Sequence, residues 1–348
     1  MFFTISAVAG NTVMYESYYG FTEKPFSIQP DPAFLYMSKK HDNALSKLEY
    51  SILHHATCAV ITGSVGSGKT TLIRELMHKL EENITVGLVS NVDSASFEEL
   101  MQWILYSFEL DYKDKGKVAL FETFTDFLID NYAANGRTVL IIDEAHNLDL
   151  ESLEQLRMLL NINVDKHQVL QLILVGQPGL RDMLRSPALA QFAQRIEVDY
   201  FLQPLDEEET KKYIQHRLVV SGGKSSLFAP DVYSTIWRAT GGVPRLINVV
   251  CDMALVYGFA DQKEIIDNEL FNNVLRDKEG GLSPIASEGS EFIDRAEQLE
   301  RRKPRQEQLE RRRVMTEPLA PKVKPQKQSV KKQSNKQKKL SSIEKLFK

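Results

Sequence analysis

Residues Gly63-Ser64-Val65-Gly66-Ser67-Gly68-Lys69-Thr70 fit the pattern G-x-x-x-x-G-K-[ST] at every fixed position. They follow an apolar run, Cys58-Ala59-Val60-Ile61-Thr62, and lead into a helical pattern, Thr71-Leu72-Ile73-Arg74-Glu75-Leu76-Met77. A strand, a glycine-rich loop and a helix in that order make an anion cradle. Glycines let consecutive backbone N–H groups face one phosphate, and the helix start adds the positive end of its dipole. Lys69 then supplies a mobile charge for β/γ-phosphates, and Thr70 an oxygen for Mg²⁺. The whole stretch from Gly63 to Thr71 is the expected nucleotide contact. A parallel sheet with helices on its faces is the fold that best presents such a loop.

The rest of the chain agrees with that architecture. Strand candidates lie at Ala59–Thr62, Thr85–Val89, Val139–Asp143 and Leu170–Val175. The last two are nearly continuous apolar runs, as parallel strands buried on both faces require. Helical periods lie between them, at 70–80, 97–106, 118–132 and 150–162, and an earlier one spans His41–His54. After a final strand at Glu197–Leu202 the pattern turns wholly helical. Asp206 and Glu209 form a capping box opening a helix over 207–219, which Gly222-Gly223 ends. Further helices are expected over 230–239, 244–259 and 267–277.

These patterns divide the chain into residues 14–204 as an α/β nucleotide-binding domain and 205–279 as a small helical lid. Residues 280–348 form a disordered basic tail, and 1–13 an extra N-terminus, translation starting at Met14. The 348-residue chain has a formal charge of −4, yet residues 281–348 carry 18 Lys and Arg against 9 Asp and Glu. A basic tail on an acidic body points to an anionic partner, nucleic acid or anionic lipid. The final residues Ile343 to Lys348 read as a frayed end or a docking peptide. Cys58 and Cys251 sit in apolar segments far apart, as buried free thiols of a reducing compartment do. No run of 18 apolar residues is present, so a membrane-spanning helix is not expected.

Chemistry gathers around the loop. Val139-Leu140-Ile141-Ile142-Asp143-Glu144 ends an apolar strand in two carboxylates: Asp143 is placed to hold Mg²⁺ with Thr70, and Glu144 to polarise an attacking water. Asp143-Glu144-Ala145-His146 also spells a helicase box, but the helical region after Pro204 leaves no room for the second sheet domain such an enzyme needs. Gln177 follows the strand Leu170–Val175 and could reach a γ-phosphate or a turn partner. Arg195, with Arg181 and Arg185 as rivals, is a candidate arginine finger for a neighbouring subunit. Gly241-Gly242-Val243-Pro244-Arg245 opens a helix with Pro at its first position, which could aim Arg245 at the phosphates.

In this order the motifs resemble those of the AAA+ ATPases. A closer likeness is to the general secretion pathway protein A family. It is carried by Tyr18-Tyr19-Gly20-Phe21, Lys24-Pro25-Phe26, Pro30-Asp31-Pro32, Asp143-Glu144-Ala145-His146-Asn147-Leu148, Leu156-Arg157-Met158-Leu159-Leu160-Asn161, Val175-Gly176-Gln177-Pro178 and Thr240-Gly241-Gly242-Val243-Pro244-Arg245. It covers about residues 14–275. The resemblance implies Lys69 and Thr70 as Walker A contacts, Asp143 and Glu144 as Walker B, Gln177 as sensor 1, Arg195 as finger and Arg245 as sensor 2. It implies ATP and Mg²⁺, a homo-oligomer, and a protein partner in a membrane-associated secretion, pilus or exopolysaccharide export machine. Secretion members continue into a transmembrane helix and a periplasmic peptidoglycan-binding region. A basic tail here shifts the expectation to a cytoplasmic ATPase, serving such a machine peripherally at the inner membrane. The alternative is an ATP-dependent DNA-binding regulator of transposition.

Overall fold

The computed structural model describes residues 15–29, 31–90, 96–164 and 166–279. The expected start at Met14 and the basic tail lie outside them. The described residues fall within one compact unit. In chain order the elements are α1 Glu16–Tyr19, α2 Lys39–Leu53, β1 Cys58–Gly63, α3 Lys69–Lys79, β2 Ile84–Val89, α4 Phe97–Ser107, α5 Lys117–Ala133 and β3 Arg137–Ile142. There follow α6 Leu150–Leu159, the two-residue strands β4 Asn163–Val164 and β5 His167–Gln168, β6 Leu170–Gly176, α7 Pro178–Leu184, α8 Ala190–Ala193 and β7 Ile196–Leu202. The chain continues with α9 Glu207–Val220, α10 Val232–Thr240, α11 Pro244–Ala260 and α12 Asn268–Glu279.

The five long strands form one parallel sheet in the order β2-β3-β6-β1-β7. Strand side chains alternate between faces. Ala59, Ile61, Val139, Ile141, Ile173 and Val175 meet Ala44, Leu45, Leu48 and Ile52 of α2 and Leu72, Ile73 and Leu76 of α3. Cys58, Val60, Leu140, Ile142, Leu172 and Leu174 face the other way and pack with α4, α5 and α6. Both faces being covered explains the nearly continuous apolar runs of β1, β3 and β6. β1 lies near the middle of the sheet, so the loop after it opens at the carboxyl ends of the strands, where ligands of open α/β sheets bind.

β3 ends at Ile142, leaving Asp143 on the turn rather than in the strand, and α6 ends at Leu159 rather than at Ile162. Ile162 packs from the margin of the core ahead of the small antiparallel hairpin β4–β5, which the helical period concealed.

Helices α9 to α12 enclose a separate core, and part of it comes from the opposite end of the chain. Tyr15, Phe21 and Phe26 are buried with Ile214, Leu218, Phe228, Ile236, Val250, Leu255 and Phe271. Phe26 meets Phe228 edge-on at 6.1 Å between ring centres, a favoured aromatic geometry. Glu16, the residue after Tyr15, is buried too. The capping box of Asp206 and Glu209 opens α9 as expected, each residue bonding the other's backbone N–H at 2.8 and 3.1 Å. Cys58 and Cys251 are both free and buried, and burial pushes both thiols well above the usual range. No described helix is long and apolar enough to cross a membrane.

Candidate functional site

The loop between β1 and α3 curls as its glycines allow, Gly66 and Gly68 taking left-handed conformations. At Gly66 the glycine is needed twice, because a Cβ there would lie 2.4 Å from the Cβ of Arg245. The Arg245 N–H donates to the Gly66 carbonyl at 3.2 Å. The start of α11 therefore rests directly on the phosphate loop. Lys69 is 5% exposed and donates to the carbonyls of Gly63 at 2.9 Å and Ser64 at 3.0 Å. Burial lowers its pKa, an effect opposed by the charges of Glu144 and Asp143.

Thr70 Oγ1 donates to Asp143 Oδ2 at 2.7 Å, joining the loop to the tip of β3. Asp143 is buried, and its Oδ1 accepts the Glu144 N–H at 2.9 Å. Glu144 has φ +56°, which is uncommon for a residue with a side chain and a frequent mark of functional turns. Glu144 lines the same cleft as Lys69 and Thr70.

That cleft is walled by the phosphate loop (Val65, Gly66 and Gly68 to Thr71), by Glu144, and by Pro244, Arg245 and Asn248 of α11. Its remaining wall was not apparent from the motifs. Segment 27–36 contributes Ser27, Gln29, Asp31 and Tyr36, and α9 contributes Tyr213 and Arg217. Arg217 is 6% exposed. Its Nε donates to the Pro25 carbonyl, Nη2 to the Ser27 carbonyl at 3.1 Å and Nη1 to the Tyr213 hydroxyl at 3.0 Å. The guanidinium lies over the Phe34 ring at 4.8 Å, a cation–π contact. Asn248 Nδ2 donates to the Ser27 carbonyl at 3.3 Å and its Oδ1 accepts from Tyr213 at 2.8 Å. A charged residue on the apolar face of α9, one turn after Tyr213, was the available sequence signal.

His41 also escaped the motif reading. Its Nε2 lies 3.0 Å from the Ser67 carbonyl and its Nδ1 2.8 Å from Ser38 Oγ. The neutral Nε2–H tautomer satisfies both, donating to Ser67 and accepting from Ser38. Burial lowers its pKa, which favours that neutral form, while the Ser67 bond pulls the other way. His41, itself part of the cleft lining, thereby fixes the loop.

The remaining sequence candidates sit outside the cleft lining. Gln177 caps α7, and its N–H donates to His146 Nδ1 at 3.4 Å. Arg195 bonds within its own chain, Nη1 to the Leu160 carbonyl at 3.2 Å and Nη2 to Asn161 Oδ1. Arg181 pairs with Asp199, and Arg185 is exposed. Gly241 and Gly242 are both left-handed, and a Cβ on Gly242 would fall 1.9 Å from the Leu205 carbonyl oxygen. That close approach ties the lid to the chain leaving β7, and Leu205 N–H donates to the Gly242 carbonyl at 2.9 Å.

The donor set suits a triphosphate with a hard cation. Thr70 and Asp143 offer oxygen only, as Mg²⁺ prefers. The Ser64 and Ser67 hydroxyls are buried without a partner in the loop itself.

Sheet order, loop and lid give an AAA fold, and residues 52–184 match the family model described as an AAA domain. Over a wider span the chain is related to general secretion pathway protein A of Aeromonas hydrophila, with 42% identity over 248 residues. This is 71% of the chain and 45% of that relative, so the chain spans less than half of the relative's length. Among solved structures, the Aeropyrum pernix ORC2 protein matches with a TM-score of 0.58 at 16% identity, over 74% of this chain and 72% of that one. Cdc6p of Pyrobaculum aerophilum matches with a TM-score of 0.58 at 17% identity over the same shares. These two likenesses establish the fold alone.

Proposed function

We propose that the protein binds and hydrolyses ATP with Mg²⁺ and uses the cycle to assemble or remodel a secretion, pilus or exopolysaccharide export machine. The observation that carries the hydrolytic reading is the junction of Lys69, the Thr70–Asp143 hydrogen bond and the Glu144 carboxylate around one cleft. Thr70 and Asp143 would hold Mg²⁺, whose chemistry is neutralisation of charge on the β- and γ-phosphates. Lys69 adds a second positive charge to the same phosphates. Glu144 accepts the proton of the attacking water. Arg245, already seated on the loop, adds charge from the lid, and Gln177 reports on the γ-phosphate.

Arg195 is absent from the cleft of its own chain. As a finger it would serve a second copy, so the active form is a homo-oligomer. The working place is the cytoplasmic side of the inner membrane. The support for an export role is the kinship with general secretion pathway protein A.

Phosphate release and binding of a fluorescent ATP analogue test the hydrolytic reading. Lys69→Ala is expected to lose both. A Lys69→Ala protein as active as the wild type would sink the proposal. The export role is tested by placing Glu144→Gln in the chromosome. Unchanged secretion, piliation and exopolysaccharide in that strain would overturn it.

A further inference from the structure

His146 lies in the short 3₁₀ turn Ala145–Asn147, directly after the two carboxylates. Its Nδ1 is 3.3 Å from Glu144 Oε2 and 3.4 Å from the N–H of Gln177. One ring nitrogen thus faces a hydrogen-bond acceptor and a hydrogen-bond donor at nearly equal distance. An imidazole nitrogen can serve only one of them at a time. With the proton on Nε2, Nδ1 accepts from Gln177 and presents a lone pair to the carboxylate. With the proton on Nδ1, a small turn of the ring or of the carboxylate lets it donate to Glu144, 3.3 Å away, and the Gln177 N–H is left unserved. Passing between the two forms releases one proton to water from one nitrogen and takes one up on the other, so the ring stays neutral.

The surroundings make this choice consequential. Glu144 Oε2 is buried and has no hydrogen-bond donor in good geometry. The backbone on both sides is held. Glu144 sits at its left-handed φ, and the His146 backbone nitrogen lies 3.3 Å from where a Cβ of Gly176 would stand. Gln177 itself lies between the end of β6 and the start of α7, so its amide moves only with those elements.

We propose that His146 is a positioning residue that transmits the place of the Gln177 amide to the Glu144 carboxylate. When the Gln177 N–H occupies Nδ1, Glu144 is released to turn toward water in the cleft. When that amide withdraws, Nδ1–H holds Glu144 back. The consequence for hydrolysis rests on the proposed ATPase activity. The coupling itself does not, and it is read without turnover.

The direct test compares Gln177→Pro with Gln177→Ala in the nucleotide-free full chain. Both remove the side chain, but only proline removes the N–H. The φ of −81° and ψ of 170° at this position suit proline. Imidazole nitrogen NMR reads the His146 tautomer, with His146→Asn identifying the resonance. The expected result is Nδ1 unprotonated in Gln177→Ala and protonated in Gln177→Pro. An identical tautomer in the two proteins overturns the proposal.

A kinetic arm follows the consequence. Gln177→Pro is expected to lower kcat about 10- to 100-fold relative to Gln177→Ala, the scale of a misplaced catalytic group, with KM for ATP changed less than about threefold on that account. His146→Ala in the Gln177→Pro chain, which removes the group that holds Glu144 back, should recover most of that rate. In a Glu144→Gln background Gln177→Pro and Gln177→Ala should differ in residual rate by less than about twofold, because residues acting as a unit are not additive. A loss that persists undiminished in either background overturns the role assigned to Nδ1. A wild-type chain without ATPase activity would sink the hydrolytic reading and leave the NMR comparison standing.

Discussion

The phosphate side of the cleft and its lid side are built in different ways. On the phosphate side, residues 63–71 and 143–144 are two short runs at strand ends, tied by bonds such as Thr70 to Asp143 at 2.7 Å. The lid side joins three distant stretches: 25–36, 213–217 and 245–248. Its ties run from side chains of α9 and α11 to backbone carbonyls of the N-terminal segment. A carbonyl accepts from any donor in reach, so the lid side depends on where its segments are packed more than on which residue offers the carbonyl. Chemistry is concentrated on one side, and assembly on the other.

If that contrast holds, Glu144→Gln should act on rate alone. Removing the proton acceptor is expected to lower kcat by roughly 10² to 10⁴, with ATP still bound and the urea midpoint within error of the wild type. A large stability loss in this variant would break the contrast from the chemical side.

Phe26→Ala should do the reverse. It empties a fully buried aromatic site in the helical core, at a cost of about 3–5 kcal/mol. Denaturant unfolding should show the loss, and hydrogen exchange should place it in α9 to α11. Exchange accelerated in the sheet instead would show that the N-terminal segment belongs with the α/β layer. Gly242→Ala tests the junction of the two regions. A Cβ facing the Leu205 carbonyl, at a φ of +72°, should cost about 2–4 kcal/mol, read in the same unfolding experiment together with weaker ATP binding.

The smallest effect concerns His41, which braces the loop while staying neutral. Its folded pKa is lowered by burial, so the unfolded chain takes up the proton more readily. The associated stability is complete above the ordinary histidine value and is lost as pH falls from there through the lowered folded value. His55 and His216 are shifted the same way. Urea unfolding at pH 7.5, 6.5 and 5.5 should therefore show falling stability. His41→Gln should flatten the slope by at most about 1.4 kcal/mol per pH unit, one proton's worth. An unchanged slope would mean that His41 is not the neutral brace that its contacts describe.

What could be read from the chain follows the same division. β1, β3 and β6 are legible because burial on both faces makes each a nearly continuous apolar run. The phosphate loop is legible because its function needs particular residue types in consecutive places. Tyr15, Phe21 and Phe26 were visible as aromatics but carry no period in a segment broken by Pro25 and Pro32. Their partners lie beyond Leu205, and no local pattern names them. His41 and His146 act through the geometry of lone ring nitrogens, which leaves no trace in spacing. The hairpin β4–β5 was hidden because Ile162, at the edge of the core, extends the apolar period of α6.

The N-terminal segment has a cost in time. Phe26 leaves the ribosome roughly 200 residues before Phe228, its partner. At about 5–20 residues per second that is about 10–40 s of synthesis. Through that interval Tyr15, Phe21 and Phe26 form a sticky stretch with nothing of its own to dock on. The sheet layer can close meanwhile, but the nucleotide cleft cannot, because one of its walls waits for the last helices to emerge.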